Sequence, residues 1–161
     1  MAAPNITAST RYIHPGVTRV VFATTVSNIN APSRAEINAG TDLSNEVFEA
    51  EGWEVASDNV DAPDLGRVFT GKVIGRTSSP DSSLTMYQSV NGADVRTLLP
   101  RGTAGFILLM WGGDVTSNKM DVYPIRVSAN PKVLTTSGDP AVLRVQVAIT
   151  SQPAENISVP A

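Results

Sequence analysis

The stretch GFILLMWGG, residues 105–113, holds the longest run of consecutive apolar residues in the chain, residues 106–111. Glycines bound this run on both sides, and a short apolar run between such breakers is typical of a strand that is buried on both faces. The run is far too short for a helix that crosses a bilayer. It therefore predicts a central strand in a sheet that is covered on both sides, and no association with a membrane.

The segments around this run alternate apolar and polar residues, as strands with one buried face do. In residues 83–90, Leu84, Met86 and Val90 oppose Ser83, Thr85, Tyr87 and Ser89, and in residues 142–150, Leu143, Val145, Val147 and Ile149 oppose Arg144, Gln146, Ala148 and Thr150. Further strands are predicted for residues 10–14, 17–24, 67–76 and 119–130. In the last of these, Pro124 favours an edge or bulged strand, because proline has no backbone N–H to donate.

Two short helices are expected beside these strands. Ser33 and Glu36 have the spacing of a capping box, and Gly40 is a natural residue for the end of the helix that it would begin. A second helix is predicted for residues 93–99, with its apolar face formed by Val95, Leu98 and Leu99. Residues 1–161 are therefore predicted to form a single domain with a mainly β fold. We expect two packed antiparallel sheets, as a sandwich or flattened barrel, with one or two short helices and a long extended loop.

Composition limits the chemistry that the chain can perform. Its 161 residues are 42% hydrophobic and 17% charged, which is a globular composition. The absence of cysteine excludes disulfides and thiol catalysis, and one histidine, His14, leaves almost no room for an imidazole metal site. Nucleotide-binding and hydrolase motifs are missing. We predict that the protein is not an enzyme and uses no metal or cofactor; its N-terminus lacks the features of a signal peptide, so we expect it to be intracellular when made.

The long loop predicted at residues 40–66 is strongly acidic. Residues 41–66 contain eight acidic residues and no base, whereas the rest of the chain carries seven acids and twelve bases. The segment therefore has a charge of −8 and the body +5, and opposite charges of this size attract. Two interpretations follow: the segment folds back on its own body, or it reaches the body of a neighbouring copy. Within it, only residues 52–56 have the pattern of a short strand.

Contact with a neighbouring copy makes the acidic segment a candidate self-association surface. Trp53 and Phe48 are its large aromatic residues, and aromatic residues are enriched where interfaces gain most of their binding energy. The complete candidate set is Asp42, Leu43, Glu46, Phe48, Glu49, Trp53, Glu54, Asp58, Asp61 and Asp64. Two other uses of this segment are weaker: calcium binding by the aspartates, and an acid pair among Glu49, Glu51 and Glu54 for glycoside hydrolysis. The alternative function is a soluble β-sandwich module that binds carbohydrate, with Trp53 as the platform, or protein.

A second candidate surface is the polar side of the predicted strands. Its residues are mostly small or hydroxyl-bearing, with few bases, and they form either an ordinary solvated sheet face or the wall of a wet channel. The candidates for the channel wall are Thr70, Lys72, Ser83, Thr85, Tyr87, Arg144, Gln146 and Thr150.

Four stretches together resemble the major tail tube proteins of long-tailed phages that infect actinobacteria. They are SRAEINAGTDLSNEV (33–47), EGWEVASDNVDAPDLGRVFTGKVIGRTSSPDSSLTMY (51–87), DVRTLLPRGTAGFILLMWGGD (94–114) and MDVYPIRVSA (120–129). Their order and spacing, rather than any single motif, make the resemblance specific, and it extends over residues 10–155. It implies a β-sandwich-like fold with a flanking helix, in a structural protein of the virion tail that is made in the host cytoplasm.

The resemblance also implies an assembly. Six copies would form a ring whose sheets join into a continuous barrel around a lumen, and the rings would stack into a tube. The expected partners are the tape-measure protein in the lumen during assembly, tail terminator and tail-tip proteins at the ends, and DNA that passes without sequence-specific binding. The long loop, residues 40–66, would contact neighbouring subunits and the adjacent ring. Because tubes of this family tend to have a negative lumen, Lys72, Arg76 and Arg144 would be paired across subunits, or would face elsewhere.

Overall fold

The computed structural model describes residues 3–91 and 95–161 of the chain. In this part of the chain it contains two short helices and ten strands. In chain order they are β1 (Arg19–Ala23), α1 (Arg34–Asn38), β2 (Thr41–Asp42), β3 (Val47–Glu51), β4 (Ala56–Ala62), β5 (Gly71–Ser78), β6 (Ser82–Tyr87), α2 (Val95–Leu98), β7 (Ala104–Met110), β8 (Lys119–Ala129), β9 (Val142–Ile149) and β10 (Ala154–Ser158).

All of the strand pairings are antiparallel, and the strands divide into two sheets. The main sheet has eight strands in the order β2-β1-β7-β8-β9-β6-β3, with β10 also paired to β8. The second sheet consists of β4 and β5. The predicted mainly β fold with two short helices is confirmed.

Strand β7 is buried on both faces, as its continuous apolar sequence predicts. Ile107 and Leu109 point into one cluster of buried residues, whereas Leu108 and Met110 point into another, against which Phe106 packs. The first cluster, here called the inner core, also contains the apolar residues of β1, β6, β8 and β9, together with Leu43, Val95 and Leu99. The second cluster, the outer core, lies on the opposite face of β1, β7 and β8.

The main sheet curls around the inner core as a flattened barrel. β1 and β3 lie towards opposite ends of the strand order, yet residues 41–47 connect them closely. The backbone N–H of Leu43 donates to the carbonyl oxygen of Val20 over 2.8 Å, and the N–H of Val20 donates to the Ser44 hydroxyl over 2.9 Å. Residues from nearly all strands of the main sheet point into this one apolar cluster. The opposite, outward face of the sheet is polar near β3, β6 and β9.

Helix α1 covers the outer core and begins with the predicted capping box. The Glu36 N–H donates to the Ser33 hydroxyl over 3.3 Å, and the Glu36 carboxylate accepts from the N–H groups of Ser33 and Ser27, both over 2.7 Å. Ile37 is the residue that α1 buries. Gly40 follows the helix because of close packing: a Cβ there would lie 2.7 Å from the Val21 side chain and 2.9 Å from the Phe22 carbonyl oxygen.

Pro124 does not mark an edge strand. β8 pairs with β7 on one side, while β9 and β10 share its other side, so it is a central strand. In an antiparallel strand the N–H and C=O of one residue point to the same neighbour. The Pro124 carbonyl accepts from Thr150, just beyond the end of β9, so its missing N–H falls in the gap between β9 and β10. The proline is tolerated because no strand occupies that gap.

Several finer predictions about the elements are wrong. Residues 10–14 are described but form no strand, and β1 is shorter than predicted. Val90 lies beyond the end of β6 and is fully exposed. In α2, Val95 and the following Leu99 are buried but Leu98 is not. Ala93, the predicted start of that helix, lies outside the described residues.

The capping box gives folding stability a specific pH dependence. Hydrogen bonds from the Ser33 backbone first, and then from Ser27 and the Ser33 side chain, lower the pKa of Glu36 from 4.5 to about 2. A carboxyl group whose folded pKa is depressed contributes stability above its unfolded pKa, and this contribution is lost as the pH falls towards the folded pKa. We therefore expect Glu36→Gln to have a smaller loss of unfolding free energy between pH 4.5 and 2 than the unmodified chain, measured by urea denaturation.

Glu54→Gln is the matched control, because Glu54 is exposed and forms no salt bridge with any residue of the described ranges. It should retain the pH dependence of the unmodified chain. An equal loss of stability in Glu36→Gln and the unmodified chain would contradict the role assigned to the Glu36 carboxylate.

Candidate functional site

The acidic segment is not the long loop that the sequence predicts. Its first part forms β2 and β3, and β3 pairs with β6 in the main sheet. Its second part forms β4, which pairs with β5. Residues 52–55, which include most of the predicted short strand, form the connection between β3 and β4. The element that stands apart from the main sheet is therefore a β-hairpin of residues 56–78, here called the hairpin, rather than residues 40–66.

The hairpin has a regular register except near its base. Val60 lies opposite Val73 and Asp61 opposite Lys72, and the register shifts between Ser57 and Asn59. Neither strand of the hairpin pairs with any other strand in the part of the chain that the structure describes. Two strands alone are marginally stable in water, so a hairpin of this kind gains from a partner surface.

Apolar side chains of the hairpin are exposed. Residues 63–70, here called the apex, connect the two strands, and Leu65, Val68 and Phe69 have relative exposures of 110%, 107% and 81%. Val60, Val73 and Ile74 are also exposed. Grouped apolar side chains on a surface mark binding sites more often than scattered ones do. The alternation of residues 67–76 indicates a strand, but alternation alone does not distinguish a face that meets the chain's own core from a face that meets another molecule.

Trp53 anchors the base of the hairpin to its own chain. Its Nε1–H donates to the Ser83 carbonyl oxygen over 3.1 Å, and its ring meets that of Tyr123 edge to face at 5.1 Å. The Tyr123 hydroxyl donates to the Trp53 carbonyl oxygen over 3.0 Å. Burial, with the charges of Asp121 and Glu155, raises the pKa of Tyr123. The structure thus gives Trp53 an intramolecular role at the base of the hairpin. Its contact with a second copy stays a prediction.

Half of the acidic residues of the segment are paired within the chain. The ion pairs are Asp42–Arg19 at 3.8 Å, Glu51–Arg144 at 3.1 Å, Asp61–Lys72 at 3.4 Å and Asp64–Arg67 at 3.8 Å. All of these side chains are substantially exposed, so each pair adds little stability. The other four acids, Glu46, Glu49, Glu54 and Asp58, form no ion pair with a described residue. The interpretation that the segment folds back on its own body is therefore correct for Asp42 and Glu51.

The hairpin itself carries no net charge. Its three acids, Asp58, Asp61 and Asp64, are balanced by Arg67, Lys72 and Arg76. The boundary at residue 66 separates these acids from the three bases that follow them, which exaggerates the charge asymmetry. The sequence also places Leu43 in the self-association set, but this side chain is 3% exposed in the inner core and cannot reach a second copy.

The polar residues proposed for a channel wall fall into two groups. Ser83 and Thr85 lie on the outward face of β6, between Glu51 and Gln146 and between Glu49 and Arg144, respectively. These neighbours bury both hydroxyl residues, so the face is polar as predicted but its two central side chains are covered. Thr150 is exposed just beyond the end of β9, and the Tyr87 ring meets that of Phe48 at 5.9 Å.

Thr70 and Lys72 belong to a different surface from this polar face, because they lie on the hairpin. Two of the bases predicted to be paired across subunits form ion pairs within their own chain: Lys72 with Asp61, and Arg144 with Glu51. The polar face of β3, β6 and β9 therefore carries no excess of positive charge.

A cleft of about 710 Å³ opens between β1 and β3, where the curled sheet fails to close. Its lining includes apolar groups from both of its sides: Val20, Val47, Phe48, Ala50, Trp53, Leu109 and Trp111. Arg19, Glu49 and Glu54 also line it. No local sequence pattern indicates this cleft, because it arises from the curvature of the whole sheet.

Two classes of site are missing from the described ranges. Residues 3–91 and 95–161 contain no group of three or more His, Asp or Glu side chains placed to hold a metal ion. The same ranges contain no helix whose length and hydropathy would allow it to span a bilayer.

A family model described as phage tail tube protein matches residues 7–161. The chain belongs to this family. It is a structural protein of the phage virion, located in the tail. No curated protein sequence gives a significant match.

Solved structures share the tail tube fold. The sheath/tube terminator of the extracellular contractile injection system PVC has a TM-score of 0.64 at 12% identity, covering 91% of this chain and 97% of its own. The tube-terminating cap of the anti-feeding prophage has 0.57 at 13%, covering 97% and 96%. The SPP1 tail tube protein has 0.56 at 11%, covering 91% and 81%. At these identities, the similarity concerns the fold.

The contacts of Trp53 lead to a prediction about the folding of the tail tube subunit. Trp53→Ala should lower the unfolding free energy by roughly 2–3 kcal/mol, somewhat less than for a fully buried tryptophan. Tyr123→Phe, which removes the hydrogen bond to the Trp53 carbonyl, should cost about 1 kcal/mol. Phe69→Ala, at an exposed aromatic residue of the hairpin, should change it by only about 0.5 kcal/mol or less. Chemical denaturation of the isolated subunit measures all three; equal effects of Trp53→Ala and Phe69→Ala would contradict the anchoring role.

Proposed function

We propose that this subunit assembles into six-membered rings that stack into the tail tube and form the conduit for DNA during ejection. The observation that carries the proposal is the hairpin, which stands apart from the main sheet with its apolar apex exposed. The exposed edge of β3 adds a second unsatisfied surface, since an open strand edge is a template for pairing with another chain. Membership of the tail tube family supports this interpretation of both features.

The proposed lumen wall is the outward face of β3, β6 and β9. It carries Glu49, Glu51, Ser83, Thr85, Arg144 and Gln146, with Arg144 paired to Glu51. Unpaired basic side chains in the lumen would bind DNA by its phosphates. Among the described residues of β3, β6 and β9 that form this face, the one base, Arg144, is paired with Glu51. The part of the corresponding face of β1, β7 and β8 that carries Val21, Leu108 and Met120 is apolar and forms the outer core, so it is not available to line a channel. Of the sequence candidates, this assignment retains Ser83, Thr85, Arg144 and Gln146 and omits Thr70, Lys72, Tyr87 and Thr150.

The proposed partners follow from a tube with two ends. The tape-measure protein would occupy the lumen during assembly, and tail terminator and tail-tip proteins would bind the end rings. Solved proteins with this fold include a tube terminator, a terminating cap and a baseplate component of contractile injection systems. A common fold would let the end proteins use the same ring surfaces as the tube subunit. An actinobacterial host remains a prediction from the sequence resemblance.

The alternative of a carbohydrate-binding module loses its main support. Its platform would be Trp53, whose indole N–H is bonded to Ser83 and whose ring packs against Tyr123. We also propose that the subunit has no catalytic activity. The role of a tail tube protein is structural, and the carboxylates that the sequence offers as an acid pair include Glu51, which is paired with Arg144.

Electron microscopy of the purified protein tests the assembly. We expect rings or tubes of uniform width, and none from a variant in which a short glycine linker replaces residues 56–78. The variant should remain folded, because Ala56 pairs with Ser78 and the ends of the deletion are adjacent. A circular dichroism spectrum typical of β structure and a cooperative thermal transition would show that the variant is folded. A protein that stays monomeric at high concentration with its tape-measure protein present contradicts the tube; intact tubes without the hairpin contradict its role.

A matched pair of substitutions controls for general loss of apolar surface. Val68→Ser with Phe69→Ser changes the apex, whereas Val133→Ser with Leu134→Ser changes two adjacent exposed residues elsewhere on the subunit. Only the first pair should prevent tube formation. Loss of tubes with both pairs would show that assembly does not depend specifically on the hairpin.

The lumen assignment is tested by a single label. Gln146 is exposed on the proposed lumen face, and the chain has no cysteine, so Gln146→Cys provides one thiol for a small maleimide-linked gold cluster. We expect the gold to project along the tube axis in electron micrographs. Gold along the outer wall would place this face on the exterior, and the unmodified cysteine-free chain shows how much gold binds without a thiol.

A further inference from the structure

We infer that the apex of the hairpin of one subunit inserts into the cleft between β1 and β3 of a neighbouring subunit. This inference rests on the proposed self-assembly and adds the surface that receives the hairpin. Each subunit would then carry both parts of the contact, an apolar projection and an apolar cavity. Such a contact is heterologous, because different surfaces of two identical subunits meet, and it propagates until it closes a ring or extends along a tube.

The apex has the properties of an inserted element. Leu65, Val68 and Phe69 lie within five residues of each other and are almost entirely exposed. Val68 and Phe69 lie just before β5, separated from it by Thr70, and the pairing of Ala62 with Gly71 closes the base of the apex. The pairing therefore presents the apolar side chains on a short connection, with less loss of conformational entropy than a disordered loop would have on binding.

The cleft has the properties of a receiving site. Its volume of about 710 Å³ is in the range of pockets that enclose drug-sized molecules, so it has room for more than one side chain. Val20 and Leu109 form part of an apolar wall, and Trp53, Trp111 and Phe48 provide aromatic surface. The Trp111 ring is held by a hydrogen bond from its Nε1 to Asp121 over 2.6 Å, and the Trp53 ring by its bond to Ser83. Fixed aromatic walls favour insertion of another aromatic ring.

Charge complementarity favours a second copy as the occupant. Glu54 lines the cleft, and Glu49, on the outward face of β3, lies at its rim; neither forms an ion pair with the described residues of its own chain. Arg67 lies two residues before Phe69; its side chain is 80% exposed and only loosely paired with Asp64, at 3.8 Å. An apex inserted through Phe69 carries Arg67 to the acidic side of the cleft. Such a pair contributes mainly to orientation and register rather than to affinity.

The apex does not occupy the cleft of its own chain. Its side chains would be covered if it did, and they are exposed. Trp53, which lines the cleft, lies at the base of the hairpin, whereas the apex is separated from that base by the seven residues of β4. At about 3.3 Å per residue, an extended strand of this length spans roughly 23 Å. The projection and the cavity of one subunit are therefore far apart, as a contact that links successive subunits requires.

Two single-cysteine variants test the contact directly. Val68→Cys places a thiol on the apex and leaves Phe69 in place, and Ala50→Cys places one in the cleft; both sites are exposed. The two variants carry tags of different length, are mixed at high concentration and are oxidised. We expect a mixed disulfide dimer in about tenfold excess over the control mixture, because the contact raises the effective concentration of the two thiols. Adding Phe69→Ala to the apex variant should reduce this excess several-fold.

The control mixture combines Ala50→Cys with Thr136→Cys, an exposed residue that does not line the cleft. A yield for the Val68/Ala50 pair no higher than this control overturns the inference. A double variant with both cysteines in one chain that forms only an internal disulfide also overturns it, since the apex would then reach its own cleft.

Micrographs of the unmodified protein separate this inference from the proposed function. If tubes form but the cross-link fails, the proposed tube function is supported and the cleft is rejected as the receiving site. A specific cross-link without rings or tubes supports the cleft and contradicts the tube.

Discussion

The burial of β7 on both faces is the constraint on which the rest of the structure depends. Five of its residues alternate between the inner and outer cores, so both sides of the sheet around it must be covered. Curvature of the sheet covers the inner side, and α1 with the C-terminal segment covers the outer side. Gly105 permits the close approach of β1, since a Cβ there would lie 2.5 Å from the Phe22 ring. The cost of this arrangement is an incomplete barrel, with a cleft between β1 and β3.

The inner core also determines how firmly the hairpin is held. Tyr123 belongs to this core, and its hydroxyl bonds the backbone of Trp53, whose ring packs against it. Ser82 adds a hydrogen bond from its hydroxyl to the Gly52 carbonyl, over 2.7 Å. The base of the hairpin is thus fixed to the most buried part of the subunit, although the hairpin contributes nothing to that core. A projecting element can locate a neighbour accurately only when its base is rigid, and these contacts provide that rigidity.

The sequence predicts the central part of the fold well, because local patterns and tertiary packing agree there. The apolar run of β7, the alternation of β8 and β9 and the capping box of α1 each have the structure that their pattern predicts. Prediction fails where one pattern has two physical meanings. The alternation of residues 67–76 is that of a buried strand, yet Phe69 and Val73 face outward, and a sequence cannot state which molecule covers an apolar face. Trp53 and Leu43 lie among acidic residues but pack inward, because burial depends on the path of the chain and not on sequence neighbours.

The charge pattern shows how much a correct boundary matters. Counted over residues 41–66, the segment is strongly acidic, but the hairpin pairs Asp61 and Asp64 with bases that lie beyond that boundary. A neutral hairpin with charged pairs beside its apolar residues can remain soluble before assembly, since charged side chains beside strands oppose nonspecific edge pairing. Of the four carboxylates without an ion pair to a described residue, Glu49 and Glu54 line the cleft. Two of the eight acids therefore line the cleft, and three lie on the hairpin, where Arg67, Lys72 and Arg76 balance their charge.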